Sequence, residues 1–276
     1  MPELPEVETI VRGLKKALVG KKIEDVRVFF PGIIKQDSEN FTRHVIQTKV
    51  IGVRRRGKFI LIDLSNGKTI LLHLGMTGSC LFLRRSSPLN KHDHLTVTLC
   101  RSQKELRYND QRKFGRIKSF STSNQGNISD LRELGPEPLN MSSSDFVNLL
   151  KRRKGRIKPA LLNQQIIAGL GNIYADESLF EARIHPLQRP DKISPPKLRR
   201  LHQAIQKILK RAIRAGGSSI ENYCNIDGEI GSFQLQHKVY GREGLLCKKC
   251  KTKIKRIKIS QRSSYFCPRC QKQIGT

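Results

Sequence analysis

The chain has 276 residues, with 53 Lys and Arg against 23 Asp and Glu, a formal net charge of +30. That length favours two or more domains over one, and the positive excess predicts attraction to nucleic acid or to an anionic membrane. No apolar run approaches the ~20 residues of a spanning helix, and Glu3, Glu6 and Glu8 stand where a secretory signal needs a basic start and an apolar stretch, so nucleic acid is the expected partner and no membrane is expected.

Residues 5–19 read as a helix. Pro5 suits its first turn, and Glu6 and Glu8 suit the positive end of its dipole. Val7, Ile10, Val11, Leu14 and Leu18 recur at helical spacing, and Gly20 can stop it. β-rich sequence follows. The runs 59–64 and 69–74 flank Asn66-Gly67, a hairpin signal, and further strands are expected at 78–84, 94–100, 105–109 and 115–120. With little helix among them, they predict a sandwich or barrel. Residues 121–140 are rich in Ser, Asn, Gly and Pro and read as a linker. Beyond them the pattern turns helical. Ser144 or a neighbour is expected to cap a helix through Phe146, Leu149 and Leu150. A longer helix is expected from Pro195, with Leu198, Leu201, Ile205, Ile208, Leu209 and Ile213 on one face and Gly216-Gly217 at its end. Residues 218–236 are polar, with glycines, and read as a mobile loop. No internal repeat or low-complexity tract is visible.

Near the C-terminus, Cys247 and Cys250 form one Cys-x2-Cys knuckle and Cys267 and Cys270 a second, with sixteen residues between. This spacing suits one structural Zn²⁺ held by four thiolates at the base of a ribbon; a disulfide-stapled lobe is the alternative. Residues 247–276 hold ten Lys or Arg and no Asp or Glu, so the ribbon faces a polyanion. Cys80, Cys100 and Cys224 remain, and read as small packed hydrophobes in a reducing compartment.

The chain starts MPELPEVET. A small second residue permits removal of Met1, which would expose Pro2 as a secondary amine. An α-amino group titrates at ~7.7–8.0 against ~10.4 for lysine, so more of it is neutral and nucleophilic at physiological pH. Its adduct with a sugar carbon is an iminium that cannot lose a proton to become a neutral imine. That adduct stays an electron sink and favours elimination of β and δ phosphates. Glu3 stands beside it as a proton shuttle, and Glu6 could tune the same site. Taken alone, Pro at position 2 is common, and Glu at a helix start is usually dipole chemistry.

The segments MPELPEVET, HLGMTGS at 73–79, DQRKFG at 110–115, GLGNIYADESLF at 169–180 and the four-cysteine ribbon occur in this order. Together, over essentially the whole chain, they resemble the bacterial formamidopyrimidine-DNA glycosylase family. The resemblance implies an α+β multidomain fold. Residues 1–125 would form an N-terminal β-sandwich with a flanking helix, 126–237 a helix–two-turns–helix domain, and 238–276 the zinc ribbon. It implies a monomer in the bacterial cytoplasm, associated with the nucleoid through DNA. It also implies a base excision repair enzyme that removes 8-oxoguanine and formamidopyrimidines from damaged double-stranded DNA, then cuts the strand by β,δ-elimination.

The resemblance further implies roles for named residues. Pro2 would attack the anomeric carbon and Glu3 would serve as acid and base. Lys58 would assist β-elimination and Arg262 δ-elimination, each a cation beside a departing phosphate. Met76, Arg112 and Phe114 would fill the hole left by a flipped nucleotide. His73, Asn172, Lys58 and Arg262 would grip phosphates around that nucleotide, and His92, Arg112, Arg153 and Lys154 would contact DNA elsewhere. Core packing is the ordinary alternative for Met76 and Phe114, a packed strand position for His73, and a solvated helix end for Arg153 and Lys154. The chain departs from the family pattern Asp-Pro-Arg-Arg-Phe-Gly at Gln111 and Lys113, and lysine lacks the bidentate fork of arginine. Two other readings share the scaffold. One is an endonuclease VIII-type enzyme for oxidised pyrimidines, whose start carries glycine where this chain has Leu4. The other is a non-catalytic damage binder, which would not need Pro2, Glu3, Lys58 and Arg262 together.

Overall fold

The structure, a computed structural model, describes residues 1–220 and 223–273. The chain forms two compact units, Met1–Arg132 with Ala215–Ser232, and Glu133–Arg214 with Phe233–Thr276. Glu221 and Asn222 of the 218–236 segment, and residues 274–276 of the expected ribbon, lie outside the described residues. No described helix is long and apolar enough to cross a membrane.

The first unit opens with helix α1 (Leu4–Leu18). Its apolar positions Val7, Ile10, Val11, Leu14 and Leu18 are buried, as their spacing predicts. Then come β1 (Ile23–Val28), α2 (Ser38–Val45), β2 (Val50–Arg56), β3 (Phe59–Leu64), β4 (Lys68–His73), β5 (Gly78–Arg84), β6 (Asp93–Leu99), β7 (Lys104–Asp110), β8 (Arg116–Ser121) and the short α3 (Ser129–Arg132). The strands make two antiparallel four-stranded sheets, ordered β1-β6-β7-β5 and β2-β3-β4-β8. Ile60, Ile62 and Leu72 from one sheet and Val26, Val97 and Leu106 from the other share a single core with the buried face of α1, so the unit is a β-sandwich with a flanking helix. Strands β3 to β8 lie within one residue of their expected limits. The expected linker instead holds a 3₁₀ turn at Thr122–Asn127 followed by α3.

The returning segment Ala215–Ser232 belongs with this sandwich. Ile226 is buried in the sandwich core, and its carbonyl accepts the Phe82 N–H at 2.7 Å. One apolar residue among polar neighbours thus anchors a stretch that its composition marks as a loose loop.

The second unit contains α4 (Ser143–Lys151), α5 (Ile157–Leu162), α6 (Asn172–Ala182), α7 (Pro195–Arg214) and the hairpin β9 (Lys255–Ile259) with β10 (Arg262–Phe266). Ser142 caps α4 by accepting the Asp145 N–H at 3.1 Å. Leu198, Leu201, Ile205, Ile208 and Leu209 of α7 are buried as expected, and α7 packs on α4 and α6.

Helix α6 is the spine of this unit, buried at nearly every position. Asp176 pairs with Lys158 at 2.7 Å, both fully buried. The Asp176 carboxylate also accepts the Tyr265 N–H of β10 at 2.9 Å, and Lys158 donates to the Ser263 carbonyl at 2.8 Å. Glu177 accepts three consecutive amides, from Lys238, Val239 and Tyr240, at 2.8–3.0 Å. Glu181 binds Lys238 at 2.7 Å, and this cation lowers its carboxyl to about 2. Two buried acids and one half-buried acid therefore lock the hairpin and its lead-in to one helix.

A buried ion pair is costly to break from one side, because the survivor is left charged and dry. Lys158→Ala should destabilise the second unit by about 3–5 kcal/mol in urea unfolding, and Lys158→Met with Asp176→Leu should recover most of that loss. A single-variant loss below about 1 kcal/mol, the worth of an exposed pair, would contradict the tether.

Candidate active site

At the start of the first unit, Pro2, Glu3 and Glu6 are buried. Glu3 is the N-cap of α1, and its N–H donates to Glu6 Oε2 at 2.8 Å. The other Glu6 oxygen accepts the Ser218 N–H at 2.7 Å. Tyr223 adds hydroxyl bonds to the carbonyls of Glu6 and Gly216, at 3.3 and 3.1 Å. One carboxylate therefore fixes both the backbone beside Pro2 and the returning segment.

Lys58 sits in the tight β2–β3 turn and is buried. The turn is fastened to α1. Arg55 binds Glu8 at 3.0 Å and donates to the Gly57 carbonyl at 3.0 Å. Burial raises the Glu8 carboxyl, but Arg12 and Arg55 together outweigh it and hold Glu8 below its ordinary value. The next residue, Phe59, pairs with His73 across the sheet, with ring centroids 4.8 Å apart. His73 is pushed down to about 4, by burial first and then by the charges of Arg116 and Lys58. Its ring is neutral at pH 7. Nδ1 accepts the Gly75 N–H at 3.1 Å, so the ring proton sits on Nε2 as a donor.

Met76 and Phe114 are 38% and 54% exposed, rather than core residues. The Arg112 guanidinium lies over the Phe114 ring, 4.8 Å from its centroid. Asp110, wholly buried, holds both loops. It accepts the Thr77 hydroxyl at 2.6 Å, the Gly115 N–H at 2.7 Å and the Tyr108 hydroxyl at 3.3 Å. Thr77 in turn accepts the Arg112 N–H at 3.0 Å. The glycines are required here. A Cβ on Gly75 would fall 2.6 Å from the Phe114 carbonyl carbon, and one on Gly115 would collide with the Tyr108 hydroxyl. His92 joins the same corner, its carbonyl accepting the Asp110 N–H at 3.0 Å. Lys113 adopts a left-handed conformation and places its ammonium 4.2 Å from the Phe30 ring centroid.

In the second unit, Asn172 is the first residue of α6, after a Gly171 N-cap that offers no side-chain acceptor. The Asn172 Oδ1 is buried without a partner. Arg153 and Lys154 are exposed in the turn after α4. Arg262 is exposed at the start of β10, next to the two-residue turn Ser260-Gln261. Both turn residues are left-handed, as such a hairpin requires, at about 1–2 kcal/mol each without glycine. The Sγ atoms of Cys247, Cys250, Cys267 and Cys270 all lie within 4.8 Å of one another, with 3.9 Å for Cys247–Cys270 and 3.4 Å for Cys250–Cys267. Tetrahedral Zn–S bonds of ~2.3 Å put sulfurs about 3.8 Å apart, so this cluster fits one structural zinc.

The structure thus gathers Pro2, Glu3, Lys58, His73, Met76, His92, Arg112 and Phe114 in the first unit. Arg153, Lys154, Asn172, Arg262 and the cysteines fall in the second. Sequence reasoning missed Asp110, Asp176 and Glu177 as positioning residues. Each lies inside a motif already noticed, DQRKFG or GLGNIYADESLF, and an acid within an otherwise cationic or apolar motif was the available signal.

Residues 1–117 match the family described as the formamidopyrimidine-DNA glycosylase N-terminal domain. Residues 134–223 match its H2TH domain, and residues 244–273 match a zinc finger found in FPG and IleRS. A formamidopyrimidine-DNA glycosylase of Solibacter usitatus is 44% identical over 99% of this chain and all of its own length. One from Pediococcus pentosaceus is 42% identical over 98% of this chain and 99% of its own. Among solved structures, a complex between Lactococcus lactis Fpg and an abasic site containing DNA superposes with a TM-score of 0.93 at 36% identity, covering 98% of this chain and 100% of that one. MutM in complex with carbocyclic 8-oxo-G containing DNA gives 0.92 at 36% identity, covering 99% and 100%.

The His73 ring provides a direct check on the site's electrostatics. The unfolded imidazole takes a proton near 6.5 and the folded one near 4, so between those values the unfolded chain binds more protons. This residue's contribution to stability is full above about pH 6.5 and is lost as the pH falls toward 4. A side-chain NMR titration should place the His73 midpoint near 4; a midpoint at the ordinary value would mean that the ring is not held dry beside Arg116 and Lys58.

Proposed function

The chain belongs to the formamidopyrimidine-DNA glycosylase family, and from that we propose that it excises oxidised purines from duplex DNA through the Pro2 amine and then cuts the abasic strand. The observation that carries this reading is the chain start. A buried proline precedes a helix cap, and the backbone beside it is fixed by Glu6.

Removal of Met1 frees the Pro2 nitrogen. It attacks C1′ of the flipped nucleoside, and the bond from C1′ to the damaged base breaks, with its electron pair leaving on the base. Glu3 supplies a proton as the sugar ring opens, giving a positively charged iminium between Pro2 and C1′. Loss of a proton from C2′ then expels the 3′ phosphate. A second elimination along the same conjugated chain expels the 5′ phosphate, and water releases Pro2. Each departing phosphate gains negative charge, and Lys58 and Arg262 are the cations assigned beside them. The neutral His73 donates from Nε2 to a phosphate, and the first turn of α6 at Asn172 receives another. The thiolates of Cys247, Cys250, Cys267 and Cys270 hold one Zn²⁺, which supplies folding energy to the hairpin and no chemistry.

Extruding a base leaves a gap in the stack. Met76 and Phe114, exposed on loops pinned by Asp110, fill it, and Arg112 reads the orphaned opposite base through its fork of donors. Lys113 stands over Phe30, so the loss of the usual arginine there leaves Arg112 as the reader. His92, Arg153 and Lys154 add contacts to the DNA. The sandwich, with its returning segment Ala215–Ser232, acts as the catalytic body, and the second unit supplies the DNA-binding helices and the ribbon, in a monomer working in the bacterial cytoplasm on nucleoid DNA. Leu4, where pyrimidine-directed sister enzymes carry glycine, favours oxidised purines.

Pro2→Gly, which keeps an α-amino group but makes it primary, should retain folding and duplex affinity while slowing strand cleavage at 8-oxoguanine by at least about 100-fold; wild-type turnover would contradict the amine's role. Arg112→Ala should erode the preference for cytosine opposite the lesion, the contact being worth about 1–3 kcal/mol. Measured across four opposite bases, an unaltered preference would remove Arg112 from that role.

A further inference from the structure

The second unit contains a cavity of about 140 Å³ that the proposed repair chemistry does not use. Its rim carries Arg183 at the end of α6, Lys192 and Lys197 around the start of α7, and Lys272 beside the last zinc knuckle. No Asp or Glu lines it. The nearest acid in sequence, Asp191, is engaged by Arg189 through two bonds of 2.7 and 3.1 Å. The volume is well above the roughly 10–15 Å³ that one water needs, and four cations converge on it.

The inner wall holds a polar donor. His185 lines the cavity and is only 7% exposed. Its Nδ1 accepts the Leu187 N–H at 3.3 Å. With Nδ1 accepting, the ring proton sits on Nε2, and burial holds the imidazole below its ordinary value. That N–H has no acceptor among the described residues. The edge-on contact with Phe266, at 4.6 Å between centroids, fixes the ring plane. Ser194, also in the lining, opens the 20-residue helix α7, its carbonyl accepting the Leu198 N–H. The start of that helix therefore lines the same space. The Gln271 side chain donates to the Ile184 carbonyl at 2.8 Å, which fixes the ribbon end to this wall.

We propose that this cavity is an oxyanion site that takes a phosphate group, with His185 Nε2–H as the buried donor and Arg183, Lys192, Lys197 and Lys272 as the surrounding cations. The group reaches it either as free inorganic phosphate or as a backbone phosphate of bound DNA.

With a net charge of +30, the test needs a readout tied to this cavity and not to the surface at large. The full zinc-loaded chain is titrated with sodium phosphate at fixed ionic strength, and the His185 imidazole ¹H–¹⁵N resonance is followed. A saturable shift is expected that sodium chloride does not reproduce. Lys192→Gln with Lys197→Gln should weaken it by about tenfold or more, with an unchanged circular dichroism spectrum. A shift that fails to saturate, or saturates equally in the double variant, would assign the anion to the general positive surface and overturn the site. Addition of undamaged duplex to the phosphate-bound chain separates the sources. Displacement of phosphate identifies a backbone phosphate as the ligand, and retention identifies the free anion.

Discussion

The carboxylates of Asp110, Asp176 and Glu177 sit where water does not compete for them, and each accepts hydrogen bonds from a segment that carries, or leads into, proposed DNA contacts. In a chain with 53 basic residues the cations are plentiful and repel one another. What is scarce is a means of holding particular cations still. A buried carboxylate bonded to backbone amides does this, because leaving either partner unmet would cost the full desolvation of a dry polar group. Asp110 holds the loops of Met76 and of Arg112 and Phe114. Asp176 and Glu177 hold the hairpin that ends in Arg262, and they sit one turn beyond Asn172 on the same helix. The proposed phosphate contact at Asn172 and the placement of the ribbon are therefore set by one rigid element.

The same economy appears at the chain start. Glu6 uses its two oxygens on two backbone amides, one next to Pro2 and one on the returning segment. Pro2, the proposed nucleophile, thus stands next to a fixed helix cap, and the helix joins the sandwich core through Val7 and Ile10. Nearby, Lys58 reaches its turn through the Glu8–Arg55 pair, and the Lys58 charge is one reason His73 stays neutral. The site therefore separates two kinds of donor. In the proposed reaction, fixed charges serve groups that become more negative, and a neutral imidazole serves a phosphate whose charge does not change.

Much of this was legible before any coordinates. Local periodicity gave α1, α7 and strands β3 to β8, and cysteine spacing gave the ribbon. Strands β1 and β2 were not placed, and their burial shows why. Both are edge strands whose alternation is broken by irregular pairing near Asp25 and Gly52, so buried positions recur every third residue. The return of 215–232 to the first unit was also hidden, because a single core residue, Ile226, carries it. The tethers were least visible of all. Glu177 and Asp176 meet partners 61 to 89 residues away, so their place in an apolar motif marks them as unusual but does not show what they hold.

The proposed reaction turns on a secondary amine at Pro2 becoming bonded to the sugar. Borohydride reduction during turnover on an 8-oxoguanine duplex, followed by proteolysis and mass mapping of the adduct, tests this directly. A nucleotide remnant is expected on a peptide that begins at Pro2 and lacks Met1. A remnant on a lysine side chain, or full activity from molecules that retain Met1, would contradict it.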